Sequence, residues 1–328
     1  MPKNLKIDSL IYPYFVTAGE GQKQAIDLFP GVFRFSSDRL LEDIFQIRKL
    51  GLRRILLFAV TDKKDATGSH ADRPNNFFVR AVKEIKDAFP DLSVITDVCL
   101  CAYTSHGHCG ILKAQSAIPK PIGWFGMPLS AAKRKTQKVV LDQSLTLKRL
   151  SQIALSHARA GADWVAPSAM AKGQVRAIRT ALDKNGCNRT KILGYSAKFA
   201  SSFYGPFRNA CASAPRFANR SSYQLDYQGS RKALQEIADD IKEGADTVMV
   251  KPALAYLDVI REAKEKFAFP LAAYNVSAEY ALVKLGAREG LFSERKMVSE
   301  IIASIKRAGA DYIITYHAKD IAKWLKEN

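Results

Sequence analysis

Short runs of apolar, β-branched and aromatic residues recur along the chain, separated by segments of helical periodicity. This alternation limits the fold more than any single motif. The eight runs are residues 10–16, 54–60, 93–99, 164–168, 191–197, 247–251, 271–276 and 312–316. Between them, apolar residues recur at helical spacing over residues 38–50, 76–89, 145–160, 174–183, 230–243, 257–267 and 295–308, with shorter stretches at 277–285 and 317–326. Three helix-to-strand junctions read Gly-Ala-Asp, beginning at Gly161, Gly244 and Gly309, and Gly51 occupies a similar place. A glycine just past a helix end takes the left-handed cap, and the next strand follows at once. Eight strands alternating with helices predict an α/β fold, a (β/α)8 TIM barrel. The competing doubly wound sheet would carry a glycine-rich dinucleotide fingerprint after its first strand, and Val16-Thr-Ala-Gly-Glu-Gly21 is not one.

In such a barrel, chemistry collects at the carboxyl ends of the strands. The residues there are Asp97, Ser168, Lys198, Lys251, Ser277 and Tyr316, together with a loop carrying Cys99, Cys101 and Cys109. Three thiolates from one loop can hold three corners of a tetrahedral Zn²⁺ site and leave the fourth to water or substrate. The plainer reading is three reduced thiols, and spacing alone leaves both open. Lys198 and Lys251 end adjacent strands, where mutual repulsion and burial would lower their pKa toward neutrality. A neutral amine attacks carbonyls, so the pair suggests Schiff-base chemistry. The same two lysines as cations would suit a phosphate or carboxylate.

Composition narrows the class. Hydrophobic residues at 47% and charged residues at 25% describe a globular chain. The net charge of +18 is spread over helix faces; only Lys133-Arg134-Lys135 with Lys138 forms a run, and no aromatic platform interleaves with it, which argues against nucleic acid as a partner. Met1 to Lys6 has no apolar signal core, no run is long enough to span a bilayer, and five cysteines with three clustered do not suit a secreted disulfide scaffold. A cytoplasmic protein with no membrane partner is expected. The organisation expected is an N-terminal arm of residues 1–9 and one barrel domain over 10–328. That domain carries a long loop at 113–138 and, over residues 199–228, a lid.

Three segments carry a resemblance. They are Asp97-Val-Cys-Leu-Cys101 with Tyr103-Thr-Ser-His-Gly-His-Cys109-Gly, Tyr195-Ser-Ala-Lys-Phe-Ala-Ser201 with Phe203-Tyr-Gly-Pro-Phe-Arg208, and Gly244-Ala-Asp246 with Val250-Lys-Pro-Ala253 and Tyr256-Leu-Asp258. In them, and over nearly its whole length, the chain resembles the porphobilinogen synthases (5-aminolevulinate dehydratases). The resemblance implies condensation of two 5-aminolevulinate molecules to porphobilinogen, with Lys251 and Lys198 as Schiff-base lysines and Asp97 among the catalytic groups. It implies a catalytic Zn²⁺ on Cys99, Cys101 and Cys109, since the zinc-free form carries aspartates there. It further implies that Arg208 and Arg220 grip one substrate carboxylate and Ser277 and Tyr316 the other, that Gln224 and Tyr204 belong to the lid, and that these two and Ser168 are also substrate-binding residues. Glu236 matches a position that holds an allosteric Mg²⁺ in some members. The family forms homo-octamers through an N-terminal arm longer than the residues preceding the first strand here. Two departures stand out: Ser168-Ala-Met-Ala-Lys-Gly173 replaces the usual Ser-Asp-Met-Met-Asp-Gly, so Ala169 stands for a carboxylate and Lys172 reverses a charge; Ala278 replaces a glycine. Two other functions compete: a diverged Schiff-base lyase or aldolase on another keto acid, and a catalytically impaired homologue acting as a binding or assembly protein.

Overall fold

The computed structural model describes residues 5–113 and 139–327. Residues 1–4 of the expected arm and, apart from Lys113, the expected loop at 113–138 lie outside the described residues. In chain order the elements are β1 (Leu10–Thr17), β2 (Lys23–Ala25), β3 (Phe33–Phe35), α1 (Ser37–Lys49), β4 (Arg54–Val60), α2 (Phe77–Ala88), β5 (Ser93–Val98), α3 (Gln143–Arg159), β6 (Trp164–Pro167) and α4 (Gln174–Lys184). They continue as β7 (Lys191–Lys198), α5 (Gly205–Ala210), α6 (Arg231–Lys242), β8 (Thr247–Lys251), α7 (Leu257–Phe267), β9 (Leu271–Asn275), α8 (Ser277–Arg288), α9 (Glu294–Ala308), β10 (Tyr312–Thr315) and α10 (Ala318–Lys326).

Eight of these strands run parallel in the order β1, β4, β5, β6, β7, β8, β9, β10, and β10 returns to pair with β1, Leu10 facing Ile313. The closed (β/α)8 barrel is the architecture expected from the sequence. The hairpin of β2 and β3, which extends the sheet through the pairing of Phe15 with Arg34, is an addition. Its three-residue strands are too short to register as a periodicity.

The repeated Gly-Ala-Asp junction has a physical explanation in both of its outer residues. Gly161, Gly244 and Gly309 all take positive φ, at 99°, 97° and 115°. The aspartate that follows reaches back to the previous barrel strand. Asp163 accepts the backbone N–H of Val94, Asp246 that of Ile192 and Asp311 that of Leu271, each at 2.8 Å. Lys86 and Lys264 pair with the first and last of these carboxylates. Each motif therefore ends a helix, starts a strand and pins that strand to its neighbour at the amino-terminal rim.

Two cores result. Inward residues such as Phe15, Phe58, Leu193, Met249 and Tyr274 fill the barrel, while outward residues such as Leu57, Val94, Val165 and Ile192 pack under the helices. Side-chain caps fix helix starts: Asn76 accepts from the amides of Phe78 and Val79, and Asp142 from that of Leu145. The second cap begins α3 two residues before the periodic segment. Among the described residues no helix is long and apolar enough to cross a membrane.

Candidate active site

The mouth of the barrel is organised by β7 and β8. Lys198 and Lys251 are direct partners across these strands. The pairing slips between Gly194 and Ala197, so that one extra residue of β7 is accommodated. Such a bulge reverses which face successive side chains occupy. Leu193 and Tyr195 point into the barrel, whereas Ala197 packs in the outer core. Alternation without the slip would have turned Lys198 outward. With it, both lysines are buried at the mouth.

Their surroundings differ. The Lys251 ammonium is ringed by aromatic faces: Tyr274 at 4.2 Å, Phe207 at 4.9 Å, Tyr195 at 5.0 Å and Tyr204 at 5.3 Å. Burial, then repulsion from Lys198, lowers its pKa to about 7. Lys198 donates to the carbonyl of Ser168 at 2.5 Å and also lies 5.4 Å from the Tyr195 ring. Asp97 completes the group. Burial raises its pKa to about 6 against the opposing pull of Lys198, the Ser168 hydroxyl and Lys251. Its Oδ1 is buried without a partner. The Lys251 amine and the Asp97 carboxyl, poised to exchange protons near neutrality beside a second lysine, can form and break carbon–nitrogen bonds.

The cysteine loop follows β5 directly. The thiols of Cys99, Cys101 and Cys109 are buried, and their sulfurs lie within 4.8 Å of one another, Cys99 and Cys101 at 3.4 Å. Three corners of a tetrahedral zinc site with metal–sulfur distances of about 2.3 Å lie roughly 3.8 Å apart, so the donor set suits such an ion. Segment 199–228 fastens this loop from above. Arg216 N–H donates to the His106 carbonyl, Arg220 to that of Gly107, and Cys109 N–H to the Tyr223 hydroxyl. His108 lies between Tyr223 and the Phe217 carbonyl, both at 3.1 Å. Gly107 is required here: its φ is +74°, and a Cβ would sit 2.5 Å from the Ala214 carbonyl oxygen. The segment contains a 3-10 turn at Ser202–Tyr204 and the helix α5.

The other residues named from the sequence fall into three groups. Arg208, Arg220 and Gln224 carry buried polar atoms without partners: the Nε of each arginine and both ends of the glutamine amide. Burial works against the Arg220 charge, but the thiols of Cys109 and Cys101 outweigh it and hold its pKa above the ordinary arginine value. Burial and Arg220 lower that of Arg208. Ser277, Tyr316 and Tyr204 are engaged internally. Ser277 donates to the Phe203 carbonyl and accepts from Phe207 N–H, and Tyr316 shares a hydrogen bond of 3.0 Å with Tyr274. The Tyr204 hydroxyl lies 2.9 Å from the Phe199 carbonyl and 3.0 Å from that of Lys251. Glu236 stands apart, on α6, in a small cavity shared with Asp239, Asp240, Glu243 and Lys172. Sequence reasoning missed Tyr195, Phe207 and Tyr274 as the walls around Lys251. The signal for Tyr195 and Tyr274 was an aromatic residue near the carboxyl end of a barrel strand, and both face the barrel interior. Ala169 is fully buried in the outer core and brings no polar group to the mouth.

Fold and site together define a (β/α)8-barrel enzyme whose mouth holds paired lysines beside a thiol cluster. The family profile described as delta-aminolevulinic acid dehydratase matches residues 1–324, and the chain belongs to that family. It is 49% identical to the delta-aminolevulinic acid dehydratase of Methanothermus sociabilis over 319 residues, 97% of this chain and 92% of the relative. Identity to that of Bacillus subtilis (strain 168) is 44%, covering 97% and 90%. Among solved structures, the delta-aminolevulinic acid dehydratase (porphobilinogen synthase) of Toxoplasma gondii ME49, in complex with its reaction product porphobilinogen, superposes with a TM-score of 0.89. Sequence identity there is 41%, covering 98% of this chain and 86% of that one.

Proposed function

We propose that this protein condenses two 5-aminolevulinate molecules to porphobilinogen with loss of two waters, a step of tetrapyrrole synthesis. The observation that carries the reading is the in-register pair Lys198 and Lys251, with one amine's pKa lowered to about 7 beside a carboxyl at about 6.

The neutral Lys251 amine attacks the keto carbon of one substrate. The resulting carbinolamine loses water to give a Schiff base, and Asp97 is placed to move the protons involved. Lys198 holds the second substrate in the same way. One carbon–carbon and one carbon–nitrogen bond then join the two molecules, and each lysine is released as a free amine. The unpartnered donors of Arg208, Arg220 and Gln224 suit a carboxylate, for which a guanidinium fork is well shaped. Ser277 and Tyr316 would take the other carboxylate by exchanging their present internal hydrogen bonds for it. The aromatic ring around Lys251 keeps water from the amine. Cys99, Cys101 and Cys109, as thiolates, would hold Zn²⁺, which when bound supplies Lewis acidity for a substrate carbonyl or an activated water. Glu236 and its acidic neighbours would hold an activating Mg²⁺. The working unit is proposed as a cytoplasmic homo-oligomer, with residues 199–228 as a lid.

The test is porphobilinogen formation from 5-aminolevulinate with and without a zinc chelator, together with borohydride trapping of the substrate and mapping of the modified peptide. Chelator-sensitive product and an adduct on Lys251 are expected. Zinc-loaded protein that gives neither product nor adduct overturns the proposal.

A further inference from the structure

A second group of metal-ligating side chains converges outside the barrel, behind its last strand. Glu294 lies in the first turn of α9, His317 at the N-cap of α10 two residues after β10, and Asp320 in the first turn of α10. One ligand atom from each lies within 4.8 Å of the others. Lys284 of α8 reaches between the carboxylates, 2.5 Å from Glu294 Oε1 and 2.8 Å from Asp320 Oδ2.

Two observations show that the ammonium does not complete this cluster. The first is charge: one cation faces two carboxylates and leaves the group at −1. The second is His317. Its side chain is fully buried, and neither ring nitrogen has a hydrogen-bond partner. A buried polar atom left unmet in this way calls for an explanation, and an absent ion is one of the usual ones. Burial, then the Lys284 charge, lowers the His317 pKa to about 3, so its lone pair is available throughout the physiological range. An imidazole nitrogen with two carboxylate oxygens is a donor set for a first-row divalent cation, and a doubly charged ion would neutralise the pair.

We infer that Glu294, His317 and Asp320 form a divalent-cation site, distinct from the three-cysteine cluster, which is filled by exchange against the Lys284 ammonium. The exchange forms metal–oxygen and metal–nitrogen bonds while the two ammonium–carboxylate contacts break. Lys284 keeps its proton and swings outward, and its side chain, 20% exposed, already touches solvent. The site adjoins the catalytic wall: the Tyr280 ring lies 4.4 Å from the His317 ring and 5.7 Å from that of Tyr316.

The experiment is a Zn²⁺ stoichiometry by equilibrium dialysis of the full chain, wild type against His317→Phe. Phenylalanine preserves the ring contact with Tyr280 and removes the nitrogen ligand. Wild type is expected to bind one more Zn²⁺ per chain than the variant. Glu294→Gln, a change at a partly exposed side chain, is expected to lose the same equivalent should the histidine variant fold poorly. Lys284→Met is expected to tighten that equivalent at least tenfold. In the Cys99→Ser, Cys101→Ser, Cys109→Ser protein, Co²⁺ at the remaining site should show d–d absorption without a thiolate charge-transfer band. Equal stoichiometry in wild type, His317→Phe and Glu294→Gln overturns the inference. So does a Lys284→Met protein that gains no affinity.

Discussion

Replacing Lys198 by methionine tests the electrostatic coupling at the mouth of the barrel. Lys251 has its pKa lowered from 10.5 to about 7, so the site disfavours its ammonium by about 5 kcal/mol relative to water. Burial is the larger cause and Lys198 the next, and Lys198→Met removes the second while leaving the first. Two unit charges roughly 7 Å apart at an effective dielectric constant of about 20 repel by about 2 kcal/mol, worth between one and two pH units. Asp97, no longer shared with Lys198, pushes in the same direction, because its charge favours the ammonium. The Lys251 midpoint is therefore expected to rise from about 7 to roughly 8–9. Condensation will be lost in this variant, so the readout is single-substrate trapping. The protein is incubated with 5-aminolevulinate and cyanoborohydride from pH 5 to 10, and the Lys251 adduct is quantified by mass spectrometry. Lys198→Arg, which keeps the charge, should leave the midpoint near 7. A midpoint unchanged in Lys198→Met would refute the coupling and leave burial alone as the cause.

Three other substitutions probe the frame of the site. Tyr204→Phe removes a hydroxyl lying between the carbonyls of Phe199 and Lys251; a loss of about 1–3 kcal/mol is expected, read as a lower thermal midpoint, and an unchanged midpoint would show that the tie contributes nothing. Burial raises the Asp240 carboxyl to about 7, so the native state retains a proton that the unfolded chain releases near pH 4, and stability falls as pH rises from about 4 to 7. Asp240→Asn should remove that penalty, up to about 4 kcal/mol, raising the melting temperature relative to wild type above pH 7 and much less at pH 4; an equal gain at both values would contradict this sign. Gly107→Ala places a methyl group against the Ala214 carbonyl, and weaker zinc retention with lower activity is expected, measured by chelator competition.

The barrel was legible because its signals are local. Strand runs, helical periodicity and Gly-Ala-Asp junctions each occupy a few consecutive residues, and each carries its own structural cause. The cysteine cluster was legible because its ligands share one short loop. Lys198 was placed at the mouth by its position at a strand's end, but the irregularity that turns it inward was not legible, since it depends on pairing with β8 and leaves no mark in the composition of β7. The walls around Lys251 come from different strands and from α5, so they meet only when the barrel closes. His317 was passed over for the same reason: its partners lie at residues 284, 294 and 320, on three helices.

The bonds between segment 199–228 and the cysteine loop carry a consequence for how the protein moves. Four residues of one segment hold four consecutive residues of the other, His106 to Cys109, largely through backbone groups. Opening either one breaks its bonds to the other, so the two are expected to open as one cooperative unit with a shared free energy. Amide hydrogens on the cysteine loop should then exchange with solvent at the rate of those on the segment above it. Escape of an ion from the thiols would be timed by that same opening.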